Sequence, residues 1–345
     1  MNRRSFITTT LVAMPALALA RTGFTFQDNS KAFVVRDGAS RFGIPTPFLG
    51  VNPNDLKVST KDSEGQVSAF YYKGVQKVGP GLHAHPNQDE IFYVQEGKYV
   101  FQLGNEKTLL ETGDLIFLPH NIPHTWVQLT DAGQMYYFLQ PAGKMEEFFL
   151  KMTEVGGKAS AEEMNEIGLA HGILNFGPPL SANDQHELIE DLSNGYVIRS
   201  GKGRFGETTL LNGKNPNDLK VSGKDTGGAL SVFEYYGRET GGPPLHVHPL
   251  QDEVFYVTEG EYAFQCAHER FSLKTGDMIF LPKGVPHAFA QQTPFGKMLF
   301  FFQPSGKMED FFRTMAGIST PPSAEEGARI FRDHEMEIVG PPLQL

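Results

Sequence analysis

The chain is written twice. Shifted by 163 residues, His83, His85, Glu90 and His124 fall on His246, His248, Glu253 and His287 with no insertion or deletion between them. Between His83 and His124 the copies agree at 25 of 42 positions, including Gly97 with Gly260, Gly113 with Gly276 and Pro119 with Pro282. The register is wider than this core: Val34-Val35-Arg36 matches Val197-Ile198-Arg199, Gln140-Pro141 matches Gln303-Pro304, and residues 177–180 match 340–343. A whole domain was duplicated, with its turns and its candidate ligands together. A 345-residue chain with this repeat holds two domains of ordinary size. The polar stretch 181–195 after Pro178-Pro179 marks the boundary, giving domains 21–182 and 183–345.

Residues 1–20 stand apart from the repeat. Arg3-Arg4, the apolar stretch from Ile7 to Leu19 and the small-x-small Ala18-Leu19-Ala20 predict a cleaved export signal of twin-arginine type, and so a periplasmic or secreted protein. The apolar run is shorter than the ~20 residues that span a bilayer, so no membrane anchor is expected after cleavage. The chain has 30 basic and 40 acidic residues and no basic run, which argues against nucleic acid as a partner. Cys266, the single cysteine, cannot form an internal disulfide, and its apolar strand setting reads as a buried small hydrophobe.

Short runs rich in aromatic and β-branched residues, punctuated by Gly, Pro and Asn, predict closely spaced strands and an all-β sandwich or barrel. In the first copy these runs are 67–72, 90–94, 98–102, 115–118, 125–129 and 134–139. Glu96-Gly97 and Glu259-Gly260 read as tight hairpin turns. Each copy closes with two helix-forming segments, 144–155 with 161–170 and 307–316 with 323–333. Ser323 is the expected N-cap of the last, with Glu326 completing a capping box. Met145, Phe148, Phe149 and Met152, with Met308, Phe311, Phe312 and Met315, read as packing residues.

His83 and His85, two apart, project from one face of a strand, as a pair of imidazoles on one ion requires. Glu90 re-enters from the next strand, and His124 arrives behind a Pro-x-x-x-Pro-His loop. Three imidazoles and a carboxylate, repeated with identical spacing, predict two sites for a divalent transition metal; iron or manganese comes first, with nickel, copper or cobalt also compatible. The remaining histidines break this pattern or lie in a helix tail: His120 aligns with Lys283, His268 with Asn105, and His171 with His334. Gln88-Asp89 and Gln251-Asp252 could orient ligand imidazoles or simply form turns. Phe92 and Trp126, with Phe255 and Phe289 in the second copy, share faces with the ligands and are candidate substrate-pocket or core aromatics.

Residues 79–97 with His83-Ala84-His85, Glu90 and Gly97, followed by Gly113 to His124, resemble the two sequence motifs of the cupin superfamily, and the second copy repeats both. The resemblance covers nearly the whole chain after the leader. It implies two tandem double-stranded β-helix (jelly-roll) barrels, each with two short C-terminal helices. Oxalate-processing cupins place three residues between the second histidine and the glutamate, and an arginine three positions before the first histidine. Here the gap is four residues, and Pro80 and Pro243 stand at the arginine position. That spacing is more similar to the quercetin 2,3-dioxygenase family, which cleaves flavonol rings with dioxygen.

The resemblance then implies that Glu90 or Glu253 is the general base for the flavonol hydroxyl beside the metal. Partners would be a small-molecule substrate and dioxygen, with a homo-oligomer compatible. Two other classes remain: a small-acid decarboxylase or isomerase, for which Arg41 and Arg204 are the duplicated cations, and a non-catalytic ligand-binding bicupin.

Overall fold

The computed structural model describes residues 31–344 apart from 157, 184, 212 and 321, so the export signal lies outside the described residues. Each repeat forms two facing sheets. In the first, the inner sheet runs in spatial order Tyr196–Ile198, Leu115–Leu118, Asp89–Glu96, Gly133–Gln140, Ser68–Gly74 and Asn54–Val58. The outer sheet runs Leu174–Pro179, Gly81–Ala84, His124–Gln128, Lys98–Leu103 and Glu106–Glu111. Apart from two hairpins, Asn54–Val58 with Ser68–Gly74 and Lys98–Leu103 with Glu106–Glu111, successive strands alternate between sheets, the winding of a double-stranded β-helix. The second repeat has the same plan.

This winding corrects the hairpin expected at Glu96-Gly97. Asp89–Glu96 and Lys98–Leu103 lie in different sheets, so the turn is a corner where the chain crosses the barrel. Gly97 still needs its freedom: φ is 95°, and a Cβ there would lie 2.9 Å from the Ala132 carbonyl oxygen. The hairpin of this region comes one strand later, where Lys98–Leu103 pairs with Glu106–Glu111. Asn121, standing where the second copy has Gly284, takes φ 63° against 76°.

The inner sheets are buried on both faces, which explains why their strands read as continuous apolar runs rather than alternating ones. Along Asp89–Glu96, Phe92 and Val94 face the first barrel's interior cluster while Ile91 and Tyr93 join Val254, Tyr256, Leu299 and Phe301 in a core between the barrels. Tyr136 stacks on Tyr256 at 4.5 Å and Phe138 meets Phe301 edge-on at 5.2 Å. In the same interface Lys220 pairs with Glu234 at 2.8 Å, both side chains fully buried. Tyr93 from the first barrel donates to Glu234 at 2.6 Å, and Tyr236 donates to it at 2.7 Å.

The first strand of each repeat sits on the other repeat's barrel. Phe33–Val35 pairs with Met278–Phe280, and Tyr196–Ile198 pairs with Leu115–Phe117. Phe33 stacks on Phe280 and Tyr196 on Phe117, both at 5.1 Å, while Arg36 and Arg199 reach across to Asp277 and Asp114. The boundary drawn between 182 and 183 separates sequence units, whereas the barrels exchange a strand across it.

Two helices close each repeat over its barrel: α1 (Met145–Val155) and α2 (Ala161–Ala170), then α3 (Met308–Ala316) and α4 (Ala324–Asp333). Ser323 accepts from the Glu326 amide as expected, while the reciprocal capping box forms at Ser160 and Glu163 of the first copy. Cys266 is buried, and burial pushes its thiol up to about 12.

Candidate metal centres and a cavity

The four predicted ligands of each repeat converge. His83 sits on Gly81–Ala84 and pairs directly with His124 at the start of His124–Gln128, while Glu90 comes from the facing inner sheet. His246, His248, Glu253 and His287 repeat the arrangement. In each set the ligand atoms lie within 4.8 Å of one another, close to the spread of donors held ~2.0–2.2 Å from one ion.

Backbone carbonyls set the imidazole tautomers. His83 Nδ1 donates to Gly81 O at 2.8 Å and His124 Nδ1 to Ile122 O at 2.9 Å; His246 and His287 do the same to Pro244 O and Val285 O. A carbonyl oxygen only accepts, so each Nδ1 carries the proton and each Nε2 presents a lone pair to the centre. Of the two roles open to Gln88 and Asp89, orienting His83 and His124 falls instead to these backbone carbonyls. Gln88 instead donates to Ala142 O, and Asp89 holds His120 through its amide and its Nδ1. Asp252 likewise accepts from the Lys283 amide.

Those lone pairs face a carboxylate. His124 Nε2 lies 3.0 Å from Glu90 Oε2, and His287 Nε2 lies 3.0 Å from Glu253 Oε2; His85 and His248 stand 3.7 and 3.8 Å from the same oxygens. Two acceptors at 3.0 Å need either one shared proton or a cation between them. Burial pushes the Glu90 carboxyl up, but the imidazoles of His124 and His85 beside it outweigh this and hold the group below the usual range. Burial alone lifts Glu253 to about 8. The distances match in the two sites, so we take the common feature to be one exchangeable proton per site, which a divalent ion replaces.

His85 and His248 complete the fit. Both are fully buried, and neither ring nitrogen of either residue has a hydrogen-bond partner. A buried polar group left unpaired costs on the order of 1–3 kcal/mol, which coordination would recover. Burial also lowers His83 to about 3 and His246 and His287 to about 4, keeping lone pairs free well below neutrality. Both centres are built to hold a divalent transition metal.

Around the first centre the described residues form a cavity of about 640 Å³ that opens onto His83, His85 and Glu90. Phe92 and Trp126 line it, with Tyr72 and Tyr137 beside them. Trp126 is braced by Phe48 at 5.4 Å and Tyr72 at 5.0 Å. Their counterparts Phe255 and Phe289 pack against each other and Phe264 in the second core. Met145, Phe148, Phe149 and Met152, read from sequence as packing, form the helix-side wall of the cavity. The equivalent Met308, Phe311, Phe312 and Met315 do pack as read.

Among the described residues, no lysine or arginine lines the cavity. Arg41 is held by Asp62 at 3.0 Å and covers Phe33; Arg204 is held by Asp225 at 3.1 Å and covers Tyr196. The duplicated arginines brace the exchanged strands. The polar part of the wall is an amide pair that sequence reasoning missed, Asn175 donating to Asn165 at 3.0 Å. The signal was present: Asn165 and Asn175 align with Ala328 and Ile338, so the repeat breaks where the cavity is lined.

A family model described as a cupin domain matches residues 74–139 and 233–301. Quercetin 2,3-dioxygenase of Bacillus subtilis strain 168 is 26% identical over 247 residues, 68% of this chain and 72% of that protein. An uncharacterised protein of Methanocaldococcus jannaschii is 42% identical over 43 residues, 12% of this chain and 34% of that protein. Among solved structures, Bacillus subtilis oxalate decarboxylase superposes over 73% of each chain at 14% identity, with a TM-score of 0.49.

Proposed function

From the premise that this chain carries two cupin domains in tandem, each with a three-histidine, one-glutamate metal set, we propose that it is a dioxygenase cleaving the ring of a flavonol-like or related enolic aromatic compound. The observation that carries this reading is the aromatic, cation-free cavity of about 640 Å³ ending on His83, His85 and Glu90. A flat polyphenol buries its faces against Phe92 and Trp126, and the Asn165–Asn175 pair offers hydrogen bonds to its hydroxyl groups. A small dicarboxylate would find no basic side chain among the described lining residues to hold its second carboxylate, which weighs against the decarboxylase reading.

Glu90 lines the cavity floor beside the histidines, so it would take the proton of a substrate's enolic hydroxyl as general base. His124 and His85 hold the carboxyl below the usual range, so it is ionised at neutral pH. A divalent transition metal bound there supplies Lewis-acid stabilisation of the deprotonated oxygen and redox access to dioxygen. The apolar walls exclude water from the electron-rich anion, and ring opening releases carbon monoxide. The paired-arginine leader supports action in the periplasm.

The test is direct: load the mature chain with iron or manganese, add quercetin, and follow dioxygen uptake and carbon monoxide release. One carbon monoxide per dioxygen consumed is expected. Carbon dioxide from oxalate without net dioxygen use, or inertness toward both with metal bound, overturns the proposal.

A further inference from the structure

The repeat is broken at one position beside the metal. Gly168 in α2 lines the first cavity, and its counterpart under the 163-residue shift is Phe331 in α4. Phe331 is 6% exposed, lies edge-on to the His246 ring at 5.7 Å and packs on Phe311 at 5.0 Å. His246 is the counterpart of His83, which opens onto the cavity. Neighbouring changes act the same way: Ile173 and Asn175 become Met336 and Ile338, both packed into the second barrel's core.

We infer that Phe331 stoppers the second metal centre, so that this centre holds its ion as a closed structural site while only the first admits an organic ligand. A phenyl ring standing where the other copy has a hydrogen atom fills the approach between helix and barrel and covers the ligand face that would meet a substrate. His246, His248, Glu253 and His287 come from both sheets of their barrel, so an ion they held would tie the two sheets together. Access to an otherwise duplicated site is thus set by the Gly168/Phe331 pair. The inference does not depend on the substrate being a flavonol.

The converse change is feasible. A Cβ at Gly168 would meet the Asn175 carboxamide nitrogen at 3.2 Å and the Ile173 carbonyl at 3.5 Å. The nearer atom ends a side chain that can yield, and the rest of a larger residue would grow into the cavity.

The experiment loads the chain with cobalt(II), verifies two ions per chain, and titrates with 4-nitrocatechol, an aromatic metal binder whose spectrum reports coordination. One probe per wild-type chain is expected, two for Phe331→Ala, and none for Gly168→Phe, with two cobalt ions throughout. Phe331→Ala keeps helix propensity; if it fails to fold, Phe331→Leu with azide and nitrocatechol compared on the same sample reads the same difference in access. Likewise Gly168→Leu stands in for Gly168→Phe. Two probes on the wild-type chain, or one still on a folded, doubly loaded Phe331→Ala chain, overturns the inference. A wild-type chain that binds one nitrocatechol yet ignores quercetin refutes the flavonol reading and leaves this one standing.

Discussion

The matched pair Glu90→Gln and Glu253→Gln isolates the proton-transfer role better than either alone. The two glutamates make the same contacts, 3.0 Å to His124 or His287 and 3.7 or 3.8 Å to His85 or His248. Whatever the lost anionic donor does to metal affinity, it does in both variants, and three imidazoles remain in each. Only Glu90 faces the cavity. Losing a positioned base lowers turnover ~10²–10⁴-fold, or about 2.7–5.5 kcal/mol in the barrier. Glu90→Gln should therefore lose that much in kcat while Glu253→Gln stays within about threefold of wild type, with ion content near two per chain in both. Steady-state dioxygen consumption with quercetin, paired with elemental analysis, makes the measurement. Equal losses in the two variants, or a Glu90→Gln chain with full metal and undiminished kcat, would refute the assignment of Glu90 as base.

Truncating Glu234 to Ala leaves Lys220 charged and buried and removes acceptors from Tyr93 and Tyr236, a change of ~3–5 kcal/mol. Thermal unfolding should fall by several degrees while remaining one transition, because the pair lies in a core shared by the barrels; two separated transitions in the wild type would contradict that. Trp126→Ala removes the ring that closes one cavity wall and should raise KM for an aromatic substrate far more than it changes metal content; an unchanged KM counts against stacking. In chelator-treated protein, burial holds His83, His246 and His287 at about 3, 4 and 4, below the ordinary 6.5 of an imidazole. The unfolded chain then binds more protons than the folded one between these values, so stability falls as pH drops from about 6.5 toward 4. Glu253, raised to about 8, acts oppositely from 4.5 to 8 but is one group against four histidines, since burial lowers His248 as well. A melting temperature that rises on acidification through that window would show the sign to be wrong.

The repeat made most of the molecule legible. Ligand identity, strand alternation, the closing helices and the positive φ at Asn121 all follow from residues compared with their own copy. Pairing was harder to read, since Glu96-Gly97 looks the same whether the next strand folds back or crosses to another sheet. The exchange of Phe33–Val35 and Tyr196–Ile198 was invisible because the shift relates each strand to its equivalent, not to its partner. The cavity escaped for a different reason. Met145 and Phe149 have the same helical spacing whether their outer face meets protein or empty space, and only the comparison of Gly168 with Phe331 distinguishes the two.

The strand exchange also orders events during synthesis. Phe33–Val35 is among the first described segments to leave the ribosome, yet its partner around Met278–Phe280 follows some 245 residues later. Until then it is an unsatisfied edge, the kind of backbone that pairs with whatever strand comes near. The first barrel waits as well, for Tyr196–Ile198 to cover Leu115–Phe117. A nascent chain stopped at the midpoint therefore carries one orphan strand and one open sheet. The first barrel is completed once residues 196–198 arrive, whereas the second gains its outermost strand from a segment made long before it.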